Sequence, residues 1–193
     1  MIVIGILIFP QVEEMDFVAP FEVLSYINKI EANSTQVFLI AEKVELLQAN
    51  NGMKIFPDYS FDTCPHLDVL VVPGGKGRLN AMNNPKIKEF VLKHSKQAQY
   101  IASVCTGAFI LAEAGLLDGK KATTYHSAFL ELQAYNTTII EKVKVVRDGN
   151  IITSAGVTSG LELGFYILKI LFGSILAKGV ANKIEYIVDI DAL

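Results

Sequence analysis

Hydrophobic residues fall in short unbroken runs along this chain, at 2–9, 37–41, 69–72, 100–104, 122–124 and 151–153. Runs that are continuous rather than alternating predict strands covered on both faces, as in a parallel sheet. Between them lie stretches with helical spacing, at 17–28, 85–95, 106–114, 127–135 and 158–172. Pro85 after Asn84 fits a first helical position behind its cap. Two further pairs of runs are separated by turn residues. Segments 44–48 and 53–56 flank Asn50-Asn51-Gly52, and 143–147 and 151–153 flank Asp148-Gly149-Asn150. Both predict hairpins. Strand–helix alternation over one chain predicts an α/β fold: a doubly wound, mostly parallel sheet sandwiched by helices.

Composition narrows the class. The 193 residues suit a single domain spanning 1–193, and no linker or repeat interrupts them. A chain that is 51% hydrophobic and 19% charged is globular rather than disordered. A net charge of −3 with no basic block argues against nucleic-acid binding. The apolar N-terminus lacks a basic leader region and reads as a buried first strand, not a signal peptide. The stretch 163–177 is interrupted by Lys169 and reads as a buried helix rather than a membrane span. Two cysteines make no disulfide framework, and a reducing, cytoplasmic setting is expected. His66, His94 and His126 are scattered, so no metal site is expected.

The chemistry concentrates in Tyr100-Ile101-Ala102-Ser103-Val104-Cys105-Thr106-Gly107. An apolar strand that stops at a lone nucleophile between small residues, with a helix to follow, is the layout of a nucleophile elbow. The turn lifts the side chain above the sheet. A helix beginning at Thr106 would aim its free N–H groups at the sulfur, and the thiol pKa is expected to fall. A free cysteine in an apolar run is more often a small buried hydrophobe; the order of strand, small residues and helix favours the nucleophile. Cys64, in a turn-like Asp62-Thr63-Cys64-Pro65 segment, reads as structural or incidental.

In open α/β sheets, ligands sit beyond the carboxyl ends of the strands. Two further loops are expected on that rim: 10–20, with Glu13, Glu14 and Asp16, and Pro73-Gly74-Gly75-Lys76-Gly77. Gly74 and Gly75 could aim N–H groups at developing negative charge, with the Thr106 N–H as companion; a plain glycine turn is the competing reading. A proton partner for Cys105 is less obvious. Asp16 and Glu22 are the acidic candidates, although Asp16 could equally cap a helix. His126, at another strand end, is a further candidate, and a structural role for it weighs about equally. A carboxyl beside a thiolate would have its pKa raised and could act as an acid.

With these residues the chain resembles the ThiJ/PfpI superfamily, the class I glutamine-amidotransferase-like fold. The motifs are those at 5–10, 16–23, 72–75, 103–107, 111–124, 145–150 and 153–160, nearly the whole chain. Within the superfamily the likeness points to the isonitrile-hydrating branch, through Asp16-Phe17-Val18-Ala19-Pro20-Phe21-Glu22-Val23, the Ser-Val-Cys-Thr-Gly elbow and Ile184-Glu185-Tyr186. The resemblance implies Cys105 as nucleophile, Asp16 as general acid/base and Thr106 as its hydrogen-bonding neighbour. It implies a homodimer with sites near the interface, a small-molecule substrate and no metal or organic cofactor. Two positions depart from the pattern: Ala19 stands where Gly is common, and Tyr125 where His is frequent. Rival branches fit less well. PfpI-like peptidases or amidases usually follow the nucleophile with His, here Thr106. Glyoxalase-like enzymes typically use Glu where this chain has Asp16. A ligand- or redox-sensing role is the remaining class. Related sensor domains precede a helix-turn-helix, for which no room is expected after Leu193.

Overall fold

A computed structural model describes all residues, 1–193. The first half runs β1 (Ile2–Leu7), α1 (Glu14–Tyr26), β2 (Thr35–Ala41), β3 (Leu47–Gln48), β4 (Lys54–Ile55), β5 (Tyr59–Ser60), β6 (Val69–Val72), α2 (Arg78–Met82) and α3 (Pro85–Ser95). The second runs β7 (Tyr100–Ser103), α4 (Ala108–Glu113), β8 (Lys121–Ala122), α5 (Phe129–Leu132), β9 (Thr138–Ile139), β10 (Val145–Asp148), β11 (Ile151–Ser154), α6 (Ser159–Phe172) and α7 (Ser174–Lys183). Seven strands form the central sheet in the order β10-β11-β7-β6-β1-β2-β5. Every neighbouring pair is parallel except β10 with β11.

The continuous apolar runs are central strands for the reason their pattern implies. β6 is buried at all four positions, as is β11, because helices cover both faces of the sheet. After β1 the chain passes to β2 on one side, and later returns to β6 on the other. The carboxyl ends of β1 and β6 therefore flank a topological switch point. Both expected hairpins are present: β3 pairs with β4, and β10 with β11, antiparallel.

Several expectations need correction. Residues 122–124 add no strand to the main sheet. Lys121–Ala122 pairs with Thr138–Ile139 in a separate two-stranded ribbon, and the buried Thr123 and Thr124 follow it. The 10–20 segment is not all loop, since α1 begins at Glu14 and carries Pro20 in its interior. Proline there removes one helical hydrogen bond, but α1 packs closely on α6: a Cβ added at Gly160 would stand 3.1 Å from Pro20 Cδ. The helix expected over 106–114 opens as a 3-10 turn, Cys105–Gly107, before the six-residue α4. The segment 163–177 is two helices, broken at Gly173 with φ 88°. No helix is long and apolar enough to cross a membrane.

Candidate active site

The elbow forms where β7 runs out. Val104 is still extended, with φ −113° and ψ 138°. Cys105 then takes φ 56°, the left-handed region that side chains with a Cβ rarely occupy. Such a conformation costs about 1–3 kcal/mol and persists only where its surroundings over-determine it. Here both peptide groups of Cys105 are tied down. Its N–H donates to the Ala155 carbonyl at 3.0 Å, and its carbonyl accepts from the Thr124 hydroxyl at 2.7 Å. Ala155 follows β11 and Thr124 follows β8, so loops beyond two other strands hold the turn.

The β6 loop is pressed against this turn. A Cβ at Gly74 would lie 2.3 Å from Thr106 Oγ1, and one at Gly107 would lie 2.1 Å from the Val72 carbonyl oxygen. Only residues without side chains permit that approach. It brings the Gly75 N–H to Thr106 Oγ1 at 3.2 Å and the Gly74 N–H to Asp16 Oδ2 at 2.9 Å. Both glycine N–H groups thus donate to side chains of the site, Gly74 to Asp16 and Gly75 to Thr106. The donors that face the Cys105 sulfur are the N–H groups of Thr106 and Val157 and the Thr106 hydroxyl.

Asp16 is fully buried on the first turn of α1. It lies inside the helix and does not cap it; Glu13 holds the cap position. Burial pushes the Asp16 carboxyl up to about 7, against the opposing Gly74 N–H, with the Glu13 charge adding to the rise. Asp16 Oδ1 has no N–H or O–H donor, and the polar group beside the carboxyl is the Cys105 thiol, a weak donor. Cys105 itself is 6% exposed. Its thiol is driven up to about 12, first by burial and then by the Asp16 charge. This reverses the expected fall. The following helix is short and starts as a 3-10 turn, so its dipole is small, while burial and a neighbouring carboxylate both oppose the thiolate. Together Asp16 and Cys105 form a pair of poorly solvated groups, the carboxyl raised to about 7 and the thiol to about 12.

The start of α1 is fixed by the β3–β4 hairpin. Asn50 Nδ2 donates to Glu13 at 2.8 Å, and Asn51 gives its backbone N–H at 2.7 Å and its side-chain amide at 2.8 Å to Glu14. The hairpin predicted from Asn50-Asn51-Gly52 therefore sets the position of Asp16 at one remove.

Cys105, Asp16, Thr106, Gly74 and Gly75 all gather in this one place. Glu22 does not join them: six residues beyond Asp16, it is exposed. His126 is exposed and lies against the Tyr125 ring, with centroids 4.4 Å apart. Cys64 is half-buried, with its thiol raised to about 11 by burial and directed at its neighbour's carbonyl, Pro65 O, at 3.3 Å. Sequence reading missed Val157, Ala155 and Thr124. Val157 and Ala155 act through backbone atoms, which no side-chain motif discloses; the small-residue segment 153–160 was the available signal. Val157 itself takes a left-handed φ of 44°, and its backbone N–H favours the thiolate.

Known proteins carry the same arrangement of chain. The isonitrile hydratase of Pseudomonas putida is 37% identical over 183 residues, covering 95% of this chain and 78% of that protein. The HTH-type transcriptional regulator CdhR of Pseudomonas aeruginosa is 29% identical, covering 92% of this chain and 53% of the regulator. Among solved structures, a ThiJ/PfpI family protein from Pseudomonas syringae superposes with a TM-score of 0.89 at 34% identity, covering 97% of this chain and 76% of that one. The DJ-1/PfpI family model matches residues 3–170, and the chain belongs to that family.

Proposed function

We propose that this protein hydrates isonitriles to N-substituted formamides, with Cys105 as nucleophile and Asp16 as general acid/base. The observation that carries the reading is the deeply buried thiol paired with a carboxyl able to hold a proton near neutral pH. An isonitrile, R–N≡C, presents its reactive carbon at the tip of a narrow linear group. Such a tip suits a cysteine that is only 6% exposed better than a peptide carbonyl flanked by chain on both sides. The likeness to the Pseudomonas putida enzyme points the same way.

In the reactive form, the pair holds a single proton. As Sγ bonds to the terminal carbon, the thiol proton passes to Asp16 and then to that carbon, giving the thioimidate R–N=CH–S–Cys105. The Thr106 and Val157 donors steady negative charge on sulfur until the bond has formed. Water then adds to the same carbon, with Asp16 taking its proton and returning one to nitrogen. Collapse expels the Cys105 sulfur, which recovers its proton, and releases R–NH–CHO. The atoms balance with water alone, so the cycle requires no metal or organic cofactor. We further propose a cytoplasmic homodimer.

The test is steady-state formamide production from simple alkyl and aryl isonitriles. Wild type is expected to turn over, and Cys105→Ala and Asp16→Asn to lose at least about 100-fold, the usual scale of proton-transfer catalysis. Folded wild-type protein with no turnover over a varied isonitrile panel would overturn the reaction. The second reading is a sensing domain, favoured by the regulator among the relatives. It predicts ligand binding or Cys105 oxidation without turnover.

A further inference from the structure

Behind the elbow lies a charged contact that the proposed chemistry does not use. Arg78, the first residue of α2, lays its guanidinium over the ring of Phe109, with Cζ 4.1 Å from the centroid. Nη2 donates to Glu131 Oε2 on α5 at 2.6 Å, while Nη1 is buried without an acceptor. Tyr135 meets the Phe109 ring edge-on at 6.2 Å and donates its hydroxyl to Glu113 at 2.5 Å. Phe109 is fully buried and follows Cys105 by four residues, one helical turn. Arg78 also ends the glycine loop, since its N–H donates to the Gly75 carbonyl at 3.2 Å. One residue thus touches both pieces that meet at the site: the loop that grips Asp16 and Thr106, and the helix that carries the elbow.

Stability alone explains this arrangement poorly. The Glu131 end of the ion pair is 48% exposed, where such pairs contribute little. Burying an unpaired N–H group is unfavourable, and an aliphatic side chain would cover Phe109 without that cost. What the guanidinium adds is direction: a rigid plane stacked on one element and a fork held by another. We infer that Arg78, oriented by Glu131, is a positioning residue that keeps the Gly74–Gly75 loop seated on the Cys105 elbow, and so keeps the Gly74 N–H on Asp16.

The consequence is specific. The Gly74 N–H holds the Asp16 carboxyl down against burial. A loop that shifts while the site stays closed to water weakens that bond and leaves burial, the larger cause, in place, and Asp16 then titrates at higher pH. The ionisable groups acting on Asp16, Glu13 and Cys105, are not touched by the change. The inference rests on the Asp16–Cys105 pairing and on no particular substrate, so its test stands whether or not isonitriles are turned over.

The experiment is NMR titration of protein carrying 13C at the aspartate carboxyl, with Asp16→Asn assigning the resonance. Arg78→Met keeps an apolar cover on Phe109 and removes the fork; Glu131→Gln keeps the arginine and removes its charged partner at a half-exposed position. The Asp16 inflection is expected to rise by about half a pH unit or more in Arg78→Met and by less, in the same direction, in Glu131→Gln. A merely structural arginine would lower the melting temperature and leave the inflection alone. Wild-type inflections in the folded variants would overturn the inference; should Arg78→Met not fold, Glu131→Gln decides alone.

Discussion

At the scale of single residues, Asp16 and Cys105 each work against their surroundings. A carboxyl and a thiol share a site with little water: burial raises both pKa values, the Asp16 charge adds to the rise at Cys105, and the Cys105 thiol, as a donor, holds the Asp16 carboxyl down. Below about pH 7 the pair holds two protons and no base is free; above it the pair holds one and is reactive. For an isonitrile substrate, kcat/KM is therefore expected to rise with pH through about 7 and then level off. A flat profile between about pH 5 and 8 would contradict the assignment of Asp16. Stability runs the other way. Because folding raises the Asp16 pKa from 3.8 to about 7, the contribution is fully present below the unfolded value and is lost as pH rises through the folded one. Asp16→Asn is expected to stabilise the protein at pH 8 by about 2–4 kcal/mol, and by little at pH 4, in urea titrations at the two pH values. Equal effects at both would show that burial does not perturb Asp16. Residues of this kind were legible in part. Cys105 and Asp16 announce themselves by motif and resemblance, but the direction of the Cys105 shift was not readable, because it depends on how deeply the thiol lies and on which donors reach it.

At the scale of elements, the site is an interlock of two strand-end loops. Gly107 must lie against the Val72 carbonyl for the elbow to close over β6. Gly107→Ala would place a Cβ 2.1 Å from that backbone oxygen, with no flexible side chain to give way. It is expected to destabilise the fold by about 2 kcal/mol or more and to abolish activity together with the Gly74–Asp16 contact. A wild-type urea midpoint would refute the interlock. Element identity followed from pattern where the pattern is long. Pro85–Ser95 carries its own start signals, an asparagine cap and a proline at the first position, and folds as read. Short elements set by tertiary contact were not readable: α2 has five residues, and β5 two. The helix expected from residue 17 begins three residues earlier, at Glu14, where contacts from the β3–β4 hairpin to Glu13 and Glu14 fix its start.

For the whole molecule, topology explains why the site lies where it does. Consecutive parallel strands deliver their carboxyl ends to one rim, and the switch between β1 and β6 opens the crevice at which Asp16 and the glycine loop meet. The doubly wound sheet was readable from continuous apolar runs alternating with helical spacing. The separate ribbon at Lys121–Ala122 was not, because an apolar run does not state its partner. At this scale the proposed homodimer predicts twice the chain mass by light scattering, independent of dilution across the working range. A monomer at every concentration would remove that proposal and leave the site chemistry standing.

The most direct measurement is rapid-quench mass spectrometry of wild-type protein mixed with an excess of isonitrile carrying 13C at its terminal carbon. The predicted result is a transient increment equal to the whole isonitrile on the peptide bearing Cys105, decaying as labelled formamide accumulates and absent in Cys105→Ala. Formamide produced at full rate with no adduct on Cys105, or with the label on Cys64 alone, would contradict the covalent account.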